Sequence, residues 1–276
     1  MEGEKLFEQK GPMETERQRI LEVKTELSAL TERFGQIERR VDGTLISNDE
    51  GFTEVILSIQ KAFEGKGRRG IGFFVGSGGA PSLLPELPIN IPLIVDKNKA
   101  VLELSSLLSK LISEEESPEA VLAKIRSSEI REQYPIVNDI ISEFGDLDLV
   151  DAFIKKEGRQ YGQFHWTNPQ RFSATQAALR ERSLVHVAVD ITSPDFAAAI
   201  TEISRKSGQS ITFGNLTNVH SWLKPRSMNF LQGFPFESSA PVVFASHRDL
   251  LVGDWPKAKV VGSVEQYIQE SDSEKD

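Results

Sequence analysis

The stretch Gly76-Ser77-Gly78-Gly79-Ala80-Pro81-Ser82 has a composition suited to holding a ligand against backbone. It follows directly on Gly70-Ile71-Gly72-Phe73-Phe74-Val75, a short apolar run that predicts a buried strand. Glycines at such a turn let the backbone approach a bound group closely, because no side chain intervenes. The next residues can offer amide hydrogens to a polar or anionic group. Three further strand ends carry polar residues. Leu93-Ile94-Val95-Asp96 ends in a carboxylate, Leu184–Val189 is followed by Asp190, and Ser210–Leu216 leads into Thr217-Asn218-Val219-His220. In an open parallel sheet, ligands bind beyond the carboxyl ends of the strands. The ordered series of glycine turn, carboxylate, carboxylate and asparagine therefore points to a nucleoside-bearing ligand. A carboxylate at Asp96 can accept both hydroxyl hydrogens of a ribose. Asp190 could accept from an adenine amine, and Asn218 could position an amine or carboxylate near a reacting carbon. His220, and His165 in the aromatic loop Tyr161-Gly162-Gln163-Phe164-His165-Trp166, could remove a proton from a substrate. Each feature also has a purely structural reading: the glycines as a tight turn, either aspartate as a cap or turn former.

The elements that must position these residues follow from periodicity. Strands are expected at 70–75, 93–96, 184–190, 210–216 and 241–245, with a last one at Val260-Val261. Helical spacing marks 50–64 and 99–112, and Asn168-Pro169 and Ser193-Pro194 open two more helices. Strands alternating with helices imply parallel pairing and right-handed crossovers. The expected fold is α/β, a Rossmann-like mostly parallel sheet flanked by helices. Residues 113–166 interrupt the rhythm as a helical insertion between the second and third strands. Before the sheet, Ile20, Val23, Leu27, Leu30, Phe34, Ile37 and Val41 alternate at spacings of three and four, which places them on one helical seam. That seam either docks on its own domain or forms a homodimer through Ile20–Val41. The organisation is thus an N-terminal helical segment, 1–47, and a Rossmann-like domain, 48–276.

In pattern and order the chain resembles the class I S-adenosylmethionine-dependent methyltransferases over roughly 68–250, outside the insertion. The resemblance implies that Gly76, Ser77, Gly78 and Gly79 hold the methionine part of S-adenosylmethionine. It implies likewise that Asp96 binds the ribose and Asp190 contacts adenine. The segment Leu216-Thr217-Asn218-Val219 would face cofactor and substrate. The implied activity is methyl transfer to nitrogen or oxygen of a small molecule; the alternative is a non-catalytic binding or scaffold protein that keeps the fold. Three departures stand out. Phe74 occupies the position, two before the first loop glycine, where the family usually has an acid. The crossover between the second and third strands is much longer than one helix needs, and one strand fewer than the family's seven is legible. If the insertion lies on the ligand edge, Tyr161, Phe164, His165 and Trp166 would form part of a cover over the site.

Other classes fit less well. A nicotinamide dinucleotide fingerprint wants a third glycine where Pro81 stands. The glycine–any–serine–any–glycine hydrolase elbow is absent. His165, His186, His220 and His247 have no metal-ligand spacing, and His186 in its apolar strand is expected to be a core histidine. The net charge of −9 disfavours general nucleic-acid binding, and the cluster Lys66, Arg68, Arg69 is expected to be a solvated loop. With no cysteine, thiolate metals, disulfides and cysteine nucleophiles are excluded. No apolar run reaches membrane-spanning length, and the charged start MEGEKLFEQKG lacks the core of a secretory signal, so a cytoplasmic location is the expectation.

Overall fold

The computed structural model describes residues 12–34, 39, 52–76, 80–144, 168–217, 219, 228–245 and 258–273. Helices α1 (Pro12–Phe34) and α2 (Phe52–Ala62) precede strand β1 (Ile71–Val75). A four-residue helix α3 (Ala80–Leu83) and a 3₁₀ turn (Leu84–Glu86) lead to β2 (Ile91–Asp96). Helices α4 (Lys99–Glu114), α5 (Pro118–Arg126), α6 (Ser128–Gln133), α7 (Pro135–Phe144) and α8 (Pro169–Glu181) come before β3 (Val185–Ala188). Then follow α9 (Pro194–Ser207), β4 (Ile211–Asn215), a 3₁₀ helix (Met228–Gly233), β5 (Val242–Ala245), β6 (Ala258–Val261) and α10 (Val264–Ser273).

The six strands form one sheet in the order β3-β2-β1-β4-β5-β6. All neighbours are parallel except β5 and β6, which pair antiparallel. The α/β class and the mostly parallel sheet flanked by helices are as the alternation implied. Strand residues bury on both faces, since helices cover both. Phe74, Ile94, Phe213 and Val243 face one core with α2 and α4–α8. Phe73, Val95, Val187 and Phe244 face the other with α1, α9 and α10. Local signals start the crossover helices. Asn98, Ser117, Asn168 and Ser193 each accept a hydrogen bond from the first-turn backbone of α4, α5, α8 and α9. The left-handed Gly208, at φ +70°, closes α9.

Helix α1 settles its own seam from Ile20 to Phe34. Val23, Leu27 and Leu30 are buried in the core beneath β3 and α9, with Ile20 and Phe34 packed at its margin. The Phe34 ring meets Phe196 edge-on at 5.9 Å. Lys24 Nζ donates to Ser183 O and Oγ at 3.3 and 3.2 Å. Thr31 Oγ1 accepts the Ala188 N–H at 3.2 Å, which satisfies an amide on the outer side of edge strand β3. Over this stretch the apolar stripe is covered by its own chain, which is the self-docking alternative of the two; Ile37 and Val41 lie outside the described residues.

Within 113–166 the described residues are largely helical. Val121, Ile125, Ile130, Ile136, Val137 and Ile140 join the same core cluster as the sheet, so α5–α7 add to the helix layer. Tyr161, Phe164, His165 and Trp166 are outside the described residues. The basic cluster before β1 is exposed as expected, with Arg68 bridged to Glu181 and Arg69 to Glu237 at 2.7 Å.

Candidate functional site

The strand order reverses at β1, whose neighbours β2 and β4 continue in opposite directions through the sheet. Ligand crevices in open α/β sheets lie at such a point, beyond the carboxyl ends. The residues that end β1, β2 and β4 are Val75-Gly76, Asp96 and Asn215.

Gly76 keeps the ladder to its last rung, donating its N–H to Val95 O at 3.0 Å. It then turns the chain at φ +77°, a conformation that glycine adopts without penalty. Ser77, Gly78 and Gly79 lie outside the described residues. The chain resumes at Ala80, and Ala80, Pro81, Ser82 and Leu83 are all buried. Among the described residues the helix after the turn spans these four.

Asp96 is half-buried at the end of β2, in register with Ala188 of β3. Its Oδ1 accepts the Asn98 N–H at 2.7 Å, a turn that hands the chain to α4. Oδ2 has no hydrogen-bond donor among the described residues. Burial holds this carboxyl above the usual carboxylate range, opposed by the Asn98 N–H and the Lys97 charge. Asp190 sits two residues past β3, and its environment is different. It is exposed, and Oδ1 accepts from Thr192 N–H at 2.9 Å and Thr192 Oγ1–H at 2.7 Å. Alternation still puts the two carboxylates on one side of the sheet, because Val95, Val189 and Ile191 all bury on the opposite side. The structural reading as a turn former thus applies to one oxygen of each aspartate. Asp96 alone combines it with burial and a second oxygen without a donor.

Asn218, His220 and His165 lie outside the described residues; Thr217 and Val219 beside them are buried. A residue that the sequence reading passed over is Asn215, which ends β4 opposite Phe74 on one side and Val243 on the other. It is 3% exposed, and its Oδ1 accepts the Thr217 N–H at 3.3 Å. The available signal was an amide side chain closing an otherwise apolar strand. Phe74 is fully buried and packs on Phe213, ring centroids 5.5 Å apart, beneath α2. The Phe74 position, two before Gly76, is a sealed core position.

His186 is where an apolar strand puts it, on the α4 side of β3, with Nε2 3.1 Å from Ser105 Oγ. Burial pulls it down to about 4. A separate cavity of about 540 Å³ opens one residue after Asp190, between the start of α9 and the 3₁₀ helix 228–233. Ile191, Pro194, Ala197 and Phe230 are among its walls, and neither Gly76 nor Asp96 lines it. Among the described residues no helix is long and apolar enough to cross a membrane. No protein-family model and no curated protein sequence matches this chain.

Proposed function

We propose that the carboxyl edge of the sheet binds S-adenosylmethionine and that the protein is a methyltransferase acting on nitrogen or oxygen of a small molecule. The observation that carries this reading is the grouping of Gly76, half-buried Asp96 and buried Asn215 at the ends of three adjacent strands where the strand order reverses. The 3-2-1-4-5-6 order is that of doubly wound nucleotide-binding sheets, which supports a Rossmann-like assignment. Asp96 Oδ2 suits a ribose hydroxyl, since a half-buried carboxylate regains by accepting hydrogen bonds what it loses in hydration. Gly76 leaves room for a ligand to lie on the backbone, and Asp190 and Asn218 complete the expected contacts to adenine and substrate. When bound, S-adenosylmethionine supplies a sulfonium methyl open to in-line displacement by a lone pair. The chain's part is then to hold the nucleophile aligned and close, with His220 or His165 taking its proton. Pro81 argues against a dinucleotide, whose fingerprint wants a third glycine there for close helix–strand packing.

A second reading is favoured by Phe74: a binding protein that retains the fold without transferring a methyl group. Its fully buried ring leaves no acid at the position that usually faces the cofactor's ammonium. Calorimetry with S-adenosylmethionine, S-adenosylhomocysteine and NAD tests the proposal. Binding of the first two without NAD is the expected result. Tight NAD binding with no S-adenosylhomocysteine binding overturns it.

A further inference from the structure

The leg of chain that follows the glycine-rich stretch is two short helical pieces, α3 and the 3₁₀ turn Leu84–Glu86. Pro85 lacks an N–H, so the stretch from Ala80 to Leu87 does not close one continuous helix before β2. Leu84 O takes the Leu87 N–H at 3.3 Å, and further donors come from 80 to 100 residues along the chain. Arg171, in the first turn of α8, directs Nη1 to the Glu86 carboxylate and Nη2 to Ser82 O at 2.7 Å. Arg182, the residue that caps the other end of α8, donates Nη1 to Leu87 O at 2.5 Å and Nη2 to Leu84 O at 2.9 Å. Four acceptors within six consecutive residues are thus taken by two guanidinium forks on one helix. The sites are shielded: the Arg171 and Glu86 side chains are 11% and 15% exposed, and Arg182 is buried. Glu86 is held from a third direction by Gln60 of α2, whose Nε2 donates at 2.7 Å.

We propose that Arg171 and Arg182 are positioning residues for the ligand site: they fasten Ser82–Leu87, the leg of chain between the glycine-rich stretch and β2, to α8. This rests on the reading of the turn as part of the ligand site. A planar fork suits the task, because it spans two acceptors at set separation where an ammonium offers a point charge. Charged donors on carbonyls are also stronger than neutral ones. Burial and the nearby Arg68 charge bring Arg182 down to about 10, which leaves it charged at neutral pH.

The test uses the full chain, with Arg171→Met, Arg171→Lys and Glu86→Gln; Arg182→Met is the variant at risk of not folding. Two readouts are taken: amide hydrogen exchange without ligand, and calorimetric affinity for S-adenosylhomocysteine. In Arg171→Met, exchange across 80–87 rises and affinity falls, each roughly tenfold or more, while protection in β3 and β5 stays as in the parent. Glu86→Gln moves both in the same direction by less. Arg171→Lys recovers thermal stability but not affinity. Unchanged exchange at 80–87 in Arg171→Met overturns the proposal, as does a uniform rise through the sheet. Raised exchange with unaltered affinity reduces the arginines to a structural role and overturns it too. If the parent protein itself binds no S-adenosylhomocysteine, the ligand reading fails, while the exchange data still decide whether the arginines hold the leg.

Discussion

Replacing His186 by glutamine should flatten the acid side of the protein's stability profile. The imidazole lies under α4 with Nε2 on Ser105 Oγ, and burial lowers it to about 4 from 6.5. Between those values the unfolded chain binds a proton that the folded chain refuses. Stability from this group is therefore complete above 6.5 and is lost as pH falls toward 4, below which both states are protonated and the loss stops. The full loss is on the order of 3 kcal/mol, and by pH 5 about 2 kcal/mol of it has gone. Glutamine keeps a polar group for Ser105 and cannot titrate. Urea unfolding of parent and H186Q at pH 7.5, 6.5, 5.5 and 5.0 should give free energies that converge by about 2 kcal/mol as pH falls. Carboxylates held low by cations, such as Glu181 beside Arg68, also weaken the fold in acid. They do so equally in both proteins, so the difference isolates the histidine. Parallel profiles, or a resonance assigned to His186 by its absence in H186Q that titrates near 6.5 in the folded protein, would refute the argument.

Three other outcomes follow from the same packing. Asp96→Ala should weaken S-adenosylhomocysteine binding by about 2–4 kcal/mol through two charge-assisted hydrogen bonds, and should lower stability by about 1 kcal/mol because Asn98 N–H loses its acceptor; unaltered affinity by calorimetry removes Asp96 from the site. Leu27→Ala, at a fully buried position of α1, should lower the unfolding free energy by about 3 kcal/mol and leave the sedimentation coefficient unchanged. A change in oligomeric state would instead place the seam between chains. Gly70→Ala should cost about 3 kcal/mol in chemical denaturation, since φ is +67° and a Cβ would stand 2.4 Å from Thr212 Cγ2 and 2.6 Å from Ser210 O. A variant as stable as the parent would contradict that geometry.

What the sequence determined by itself is local. Apolar runs alternating with helical spacing specify parallel strands covered on both faces, because only buried strands can be apolar throughout. The Asn168-Pro169 and Ser193-Pro194 starts were legible because a cap forms its hydrogen bonds within two or three residues of itself. The glycine after β1, the acid ending β2 and the core-facing, half-buried place of His186 could be read the same way. Tertiary structure decided what meets what. The seam of α1 shows a stripe but not its cover; β3 and α9 supply it, more than 150 residues away in the case of Thr31 and Ala188. Asp96 and Asp190 look alike as residues after strands, yet one is half-buried between β1 and β3 and the other is exposed and turned onto Thr192. A carboxylate's environment is made by neighbouring strands, and their order is not written in any one of them. Asn215 gains its place only when β4 pairs with β1, and Arg171 and Arg182 gain theirs only when α8 packs beside the turn. Periodicity records which face of an element is apolar; only long-range packing selects which polar groups are left to meet a ligand.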